Sequence, residues 1–382
     1  MRVAIAIDSF KGSLSSYDAG CATAEGILKV DPSAEIEVCP LADGGEGTVS
    51  AITSAMGGKL CRISVCGPLG TPVEAEYGVI SEERTAIIEM ASAAGITLIN
   101  EEQRNPLYTT TYGVGELISH AIQTEGCRKF VIGIGGSATN DGGVGMLQAL
   151  GFSFLDVDGN EISRGAQGLS KLAEIRCSGA MDQLSQCEFH IACDVTNPLC
   201  GRQGCSSVFG PQKGATPEMI KSMDGWLERY AELTERIVGK AFSLAAGAGA
   251  AGGLGFAFIS YLGGRLESGI DLVMRVTHLE ERVKKADIVI TGEGRLDGQS
   301  AMGKAPVGVA KLAKKHGKPV IAFSGCVGNG VELCNAHGID AFFPILRTVC
   351  SLEDAMNAQN AYQNLQSTSE QVFRLISAFQ KG

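Results

Sequence analysis

Apolar residues in this chain fall into short blocks, and many of the blocks end on glycine or an acid. The first block, Arg-Val-Ala-Ile-Ala-Ile over 2–7, is unbroken, as expected of a strand buried on both faces. It stops at Asp8. A helical period follows over 15–30, with Ser13 or Ser15 placed to cap it. A short strand is expected at 35–39 and a helix at 45–56, closed by Gly57 and Gly58. This alternation is the pattern of a βαβ unit.

The middle of the chain reads differently. Three strands, 59–65, 74–80 and 85–89, are separated by Gly/Pro turns, which favours antiparallel pairing. A helix is expected at 109–124, an apolar strand at 129–134, a helix at 140–150 and a strand at 189–193. Helical periods then cover 217–238, 252–262 and 268–285. The alternating pattern returns near the end, with strands at 287–291, 319–323 and 339–344 and a helix at 303–316. Ser351 and Asp354 resemble a capping box. They precede a long helix whose apolar stripe carries Leu365, Val372, Ile376 and Phe379. The predicted architecture is α/β and discontinuous. Residues 1–65 plus 281–382 form an open parallel-sheet domain, and 66–280 form an inserted mixed α/β domain. Open parallel sheets bind ligands beyond the carboxyl ends of their strands, where the loops at Asp8, Asp43 and Thr291 would sit.

Candidate chemistry gathers in six glycine-containing stretches: 8–13, 42–48, 133–143, 193–201, 247–253 and 291–300. All six are expected to be loops. Glycine lets backbone N–H groups approach an anion, while nearby carboxylates suit divalent cations and nearby Lys or Arg suit phosphate or carboxylate. In the first stretch Ser9 and Ser13 offer hydroxyls and Lys11 can reach an anion at a helix N-terminus; the plain alternative is a cap with a solvated lysine. Asp43 and Glu46 stand three apart at a helix start, where acids are also favoured by the dipole alone. The 133–143 stretch holds five glycines with Ser137, Thr139, Asn140 and Asp141 between a strand and a helix. A simple turn needs fewer glycines, and a phosphate cradle explains the number.

Two further stretches imitate nucleotide motifs. Residues 247–252 match GxGxxG, but no strand precedes them and no βαβ unit follows, so close packing of a helix start is the better explanation. Residues 298–304 look like GxxxxGK, yet Ala305 replaces the magnesium-binding hydroxyl and the motif begins well after its strand. Glu293, Arg295, Asp297 and Lys304 cluster there all the same; a solvated charged loop is the alternative. Asp194 leaves a strand where a carboxylate could accept a proton from a substrate hydroxyl, or simply form an Asx turn ahead of Pro198.

Composition narrows the classes. The chain has 382 residues, 51 glycines and a net charge of −10, with no Lys/Arg run for nucleic acid. No stretch approaches the length of a membrane span, and the first residues are too soon interrupted for a signal peptide. Thirteen cysteines without CxxC spacing read as free thiols in the cytosol. The five histidines show no metal-ligand spacing.

Taken together, 8–13, 40–48, 135–143, 193–201, 252–256 and 291–304 with 306–310 resemble the bacterial glycerate kinases of glyoxylate and sugar-acid degradation. The resemblance runs in fixed order over nearly the whole chain. It implies a flavodoxin-like domain with a second α/β domain inserted, and ATP-dependent phosphorylation of D-glycerate, with 2-phosphoglycerate favoured over 3-phosphoglycerate. Residue roles are physical inference. Gly135, Gly136, Ser137, Thr139 and Asn140 would bind the nucleotide phosphates. Asp43 and Glu46 would hold Mg²⁺, with Asp194 as a further candidate. Asp8, Ser9, Glu293, Arg295 and Asp297 would bind substrate, Arg295 and Lys11 meeting its carboxylate. Asp194 would orient or deprotonate the hydroxyl, and Lys304 would offset charge on the transferred group. A dehydrogenase or a non-catalytic sugar-acid or nucleotide-binding protein are the competing classes. The sequence leaves the oligomeric state open.

Overall fold

A computed structural model describes residues 1–42, 45 and 47–380. The chain divides into two compact units. One comprises Met1–Asp43, Ser50–Met56 and Ile270–Gly382; the other comprises Gly44–Val49 and Gly57–Gly269. Residues 59–65, expected in the first domain, instead open the sheet of the second, because Lys59–Cys66 pairs antiparallel with Pro72–Ile80. Likewise 270–280, expected in the insertion, belongs to the first unit.

The first unit is an open five-stranded parallel sheet in the spatial order Glu35–Val38, Arg2–Ile7, Ile288–Leu296, Val320–Val327, Ala341–Pro344. Numbered within the unit this is 2-1-3-4-5, the flavodoxin-like order, whose direction of travel reverses between strands 1 and 3. Val3 through Ile7 are all buried, which is why the first strand shows no alternation: helices cover both faces of such a sheet. Glu35–Val38 lies on the edge, and its charged and apolar residues alternate. Ser15 caps the helix Ser16–Leu28, accepting from Asp18 N at 3.0 Å.

The second unit carries a six-stranded mixed sheet in the order Arg265–Glu267, Glu188–Ala192, Lys129–Gly133, Thr85–Glu89, Pro72–Ile80, Lys59–Cys66. The three strands expected to pair antiparallel do so, and Thr85–Glu89 then pairs parallel with Lys129–Gly133 on its other side. Four consecutive strands are parallel, and register aligns Glu89, Gly133, Ala192 and Glu267 along their carboxyl edge. The core beneath includes stacked Phe130 and Phe189 with ring centroids 4.9 Å apart.

Several boundaries move for local reasons. The expected 140–150 helix begins only at Val144, because Gly143 takes φ of 75° and cannot be part of the helix. The 268–285 period splits into Gly269–Val276 and Leu279–Lys285 at His278, whose φ is 51°. The stretch 291–300 is not all loop: the strand Ile288–Leu296 runs through it, held by Gly292 opposite Phe323 and Glu293 opposite Ser324. Ser351 caps the short helix Leu352–Met356, and Ala358–Gln380 is separate. Leu365 and Val372 are buried as the stripe requires, but Phe379 is 81% exposed.

Asp141 fastens the second unit's central loop. Its Oδ2 accepts from Thr111 N at 2.8 Å, Thr111 Oγ1 at 2.9 Å and Gly145 N at 3.3 Å, and its Oδ1 accepts from Gly143 N at 3.2 Å. Asp141→Ala would strand these buried donors. We expect it to lower stability by on the order of 3 kcal/mol, since each unsatisfied buried group costs roughly 1–3 kcal/mol. Thermal melting by circular dichroism checks this, and an unchanged melting temperature would deny the carboxylate that role.

Candidate functional site

In the first unit the polar candidates assemble at the carboxyl ends of the two strands flanking the reversal. Ile7 lies opposite Gly292, and Asp8 N donates to Gly292 O at 2.9 Å. Asp8 is thereby buried beside the Ile288–Leu296 strand, and its Oδ1 accepts from Ser9 N at 2.7 Å. The chain then turns over the neighbouring strand. A Cβ on Gly294 would lie 3.4 Å from Phe10 Cα and 3.5 Å from Lys11 N, in ordinary van der Waals contact, so the two backbones run close together here.

Glu293 is buried and accepts a hydrogen bond from Ser300 Oγ. Arg295, 64% exposed, pairs with Asp297 at 3.3 Å, and Asp297 accepts from Gln299 N at 2.9 Å to start the turn Ser300–Met302. Asp8, Ser9, Lys11, Glu293, Arg295 and Asp297 thus share one end of one sheet. Lys304 is exposed at the start of the helix Ala305–Lys315. No P-loop forms around it: Ser300–Met302 is a single tight turn ending at Gly303.

In the second unit the 133–143 loop leaves the central strand at its carboxyl end. Its side chains turn inward. Ser137, Thr139, Asn140 and Asp141 are buried, whereas Gly135 and Gly136 are exposed. The N–H groups of Gly135 and Gly136 have no hydrogen-bond partner among the described residues. Asn140 Nδ2 donates to Ser206 Oγ at 2.9 Å. Asp194 lies at the same sheet edge, two residues beyond Ala192, exposed and accepting from Gly269 N at 3.0 Å. The 247–252 glycines serve packing. A Cβ on Gly252 would lie 2.1 Å from Thr139 O, and Gly142 N donates to Gly252 O at 2.9 Å. Residues 241–246 form no strand, so the dinucleotide-binding alternative has no support here.

Two residues escaped the sequence reading. Glu89 stands beside Gly133 at the carboxyl edge, with Oε1 accepting from Val49 N at 2.9 Å; the parallel pairing that puts it there is a long-range event. Lys213 ends the turn Pro211–Lys213 and is buried, donating to Ser137 Oγ at 2.8 Å and Thr139 O at 2.6 Å. A lysine between proline and glycine carries no sign of burial. Burial brings its ammonium down to about 8, partly offset by Cys205 and Asp141. Burial likewise raises the Asp141 carboxyl, opposed by its hydrogen bonds.

Asp43 and Glu46, the metal candidates, lie outside the described residues. Among the described residues no group of three or more His, Cys, Asp or Glu is placed to hold a metal ion, and no helix is long and apolar enough to cross a membrane.

Lys213 gives a measurable stability signature. Its folded pKa lies below its ordinary 10.5, so between about 8 and 10.5 the unfolded chain binds more protons and stability rises with pH. Below that window both states are charged and the full penalty applies. Relative to Lys213→Met, the wild type should gain on the order of 3 kcal/mol across the window, read from denaturation at a series of pH values. A constant difference would mean that the ammonium is not desolvated.

A family model described as the glycerate kinase family matches residues 3–377. A glycerate kinase of Haemophilus influenzae is 48% identical over 377 residues, covering 99% of each chain. The glycerate 2-kinase of Escherichia coli is 45% identical over 372 residues, covering 97% of each. A crystal structure from Salmonella typhimurium LT2 that carries the name glycerate kinase 2 aligns over 100% of both chains, with 47% identity and a TM-score of 0.92.

Proposed function

Because the chain belongs to the glycerate kinase family, we propose that it transfers the γ-phosphate of ATP to D-glycerate, giving 2-phospho-D-glycerate and ADP. The observation that carries this is the end-to-end match to a glycerate 2-kinase at 45% identity, with 97% of each chain covered.

The nucleotide phosphates are assigned to the 133–143 loop. Gly135 and Gly136 are exposed and their N–H groups have no partner among the described residues, which suits an anion, while Ser137 Oγ, the Thr139 carbonyl and Asn140 Nδ2 are bonded from inside. D-glycerate is assigned to the first unit. Its carboxylate suits Arg295 and Lys11, and its hydroxyls suit Asp8, Ser9, Glu293 and Asp297. Asp194 orients or deprotonates the attacking hydroxyl, and its exposure at a strand end supports that role. Lys304, exposed at a helix start, offsets charge on the transferred group.

Mg²⁺ belongs to the same reading. It takes one or two protein carboxylates together with phosphate oxygens. Asp194 and Glu89 bring hard oxygen donors to the sheet edge from which the loop springs, so the donor chemistry fits, and Asp43 and Glu46 are the further candidates. When bound, the ion would offset charge on the nucleotide phosphates. Thirteen free thiols support a cytosolic location.

Three tests follow. Asp194→Asn keeps an acceptor for Gly269 N–H, so folding should survive while turnover falls by roughly a hundredfold to a thousandfold. Turnover at the wild-type level would remove Asp194 from the mechanism. A Cβ on Gly135 meets open space, so Gly135→Val should fold normally yet raise the ATP dissociation constant by about tenfold or more, because the side chain occupies the anion's approach. Unchanged titration calorimetry with ATP would refute the loop assignment. Phosphorus NMR of the product should show the ester at the 2-position; a 3-phosphate would overturn the stated product.

A further inference from the structure

The 133–143 loop is fastened from beneath by a charge. Lys213 is 2% exposed, and its Nζ donates to Ser137 Oγ at 2.8 Å and to Thr139 O at 2.6 Å. These two acceptors lie one residue apart on either side of Ala138, so a single ammonium fixes the path of the backbone between them. The turn carrying the lysine is itself fixed. A Cβ on Gly214, where φ is +90°, would lie 2.3 Å from Arg104 O, so the turn sits against the Arg104 backbone.

We propose that Lys213 is a positioning residue for nucleotide binding, holding the 133–143 loop so that the Gly135 and Gly136 amides face outward and adding positive charge behind them. This rests on reading that loop as the phosphate-binding one. The neighbouring side chains are also held from inside: Asn140 by Ser206 and Asp141 by Thr111. With 137 and 139–141 anchored inward, the glycines are the part of the loop left for a ligand. The choice of residue points the same way. Desolvating an ammonium carries a penalty of several kcal/mol; the two groups it bonds here are a neutral hydroxyl and a neutral carbonyl, and the nearby Asp141 carboxyl offsets only part of that penalty. An apolar side chain of similar length would fill the space without that penalty, so a plug serving stability alone has no need of a lysine. A charge in a low-dielectric interior acts strongly on an anion close by, whereas the same charge in water is screened.

The test compares Lys213→Met, Ser137→Ala and Gly135→Val with the wild type. ATP alone is titrated by calorimetry, and the KM for D-glycerate is measured at saturating ATP. Lys213→Met should weaken ATP by about tenfold or more while the glycerate KM stays within about twofold. Ser137→Ala keeps the charge and loses one of its two bonds, so it should weaken ATP by a smaller factor, about threefold. Ser137→Ala also decides the matter if Lys213→Met fails to fold. The proposal is overturned if ATP binds normally to both variants, or if ATP and glycerate weaken equally, as a merely structural clasp would require. Gly135→Val separates the two levels. If it weakens ATP while the Lys213 and Ser137 variants do not, the loop assignment stands and the role of Lys213 falls. If all three bind ATP normally, the loop assignment itself has failed.

Discussion

The second unit depends on the burial of two opposite charges under one glycine loop. Asp141 accepts four hydrogen bonds from backbone and hydroxyl donors, and Lys213 spends two on the same loop. Neither charge would survive in an apolar interior without such partners. Their satisfaction is what allows an eleven-residue stretch containing five glycines to have a defined path at all. Glycine contributes the close approach: with any side chain at 252 the loop and the helix start that backs it could not touch, since the Cβ would overlap Thr139 O. The polar anchors and the bare backbone are therefore two halves of one device.

The first unit meets a different constraint. Parallel strands deliver all their carboxyl ends to one edge, and at the reversal of strand order the flanking helices part to leave a crevice. Register brings Asp8 beside Gly292 and sets Glu293 and Arg295 just beyond. Glu293 is buried and Arg295 exposed, and at Gly294 between them the backbone of Lys11 comes close. Acids and bases far apart in the chain become one polar edge through backbone pairing alone, as Asp8 and Glu293, separated by 285 positions, illustrate.

Much of this was legible beforehand because it is local. The unbroken apolar run of the first strand, the Ser15 cap and the glycine content of 133–143 are all signals carried by neighbours in sequence. Where local signals misled, a long-range contact decided. The strand through 291–296 looked like loop because it is rich in glycine and charge, yet pairing with Val320–Val327 extends it. Ser137, Thr139 and Asn140 looked like ligand-facing hydroxyl and amide groups, yet all three are buried, and Ser137 and Asn140 bond to Lys213 and Ser206. Phe379 sits on the apolar stripe of its helix, yet it is exposed among the described residues.

By itself the sequence determined the alternation of elements, an open parallel α/β plan with an inserted domain and the six places where chemistry could occur. These follow from periodicity, turn chemistry and residue type, each set within a few residues of chain, whereas the flavodoxin-like order was implied by the resemblance to a known family. Only the tertiary structure decided which way the loop side chains face, which acids share an edge with Asp194, and that a lysine in an ordinary-looking turn lies buried. Those outcomes depend on strand register and on packing between segments far apart in sequence, and no local pattern encodes the neighbour that a side chain will meet.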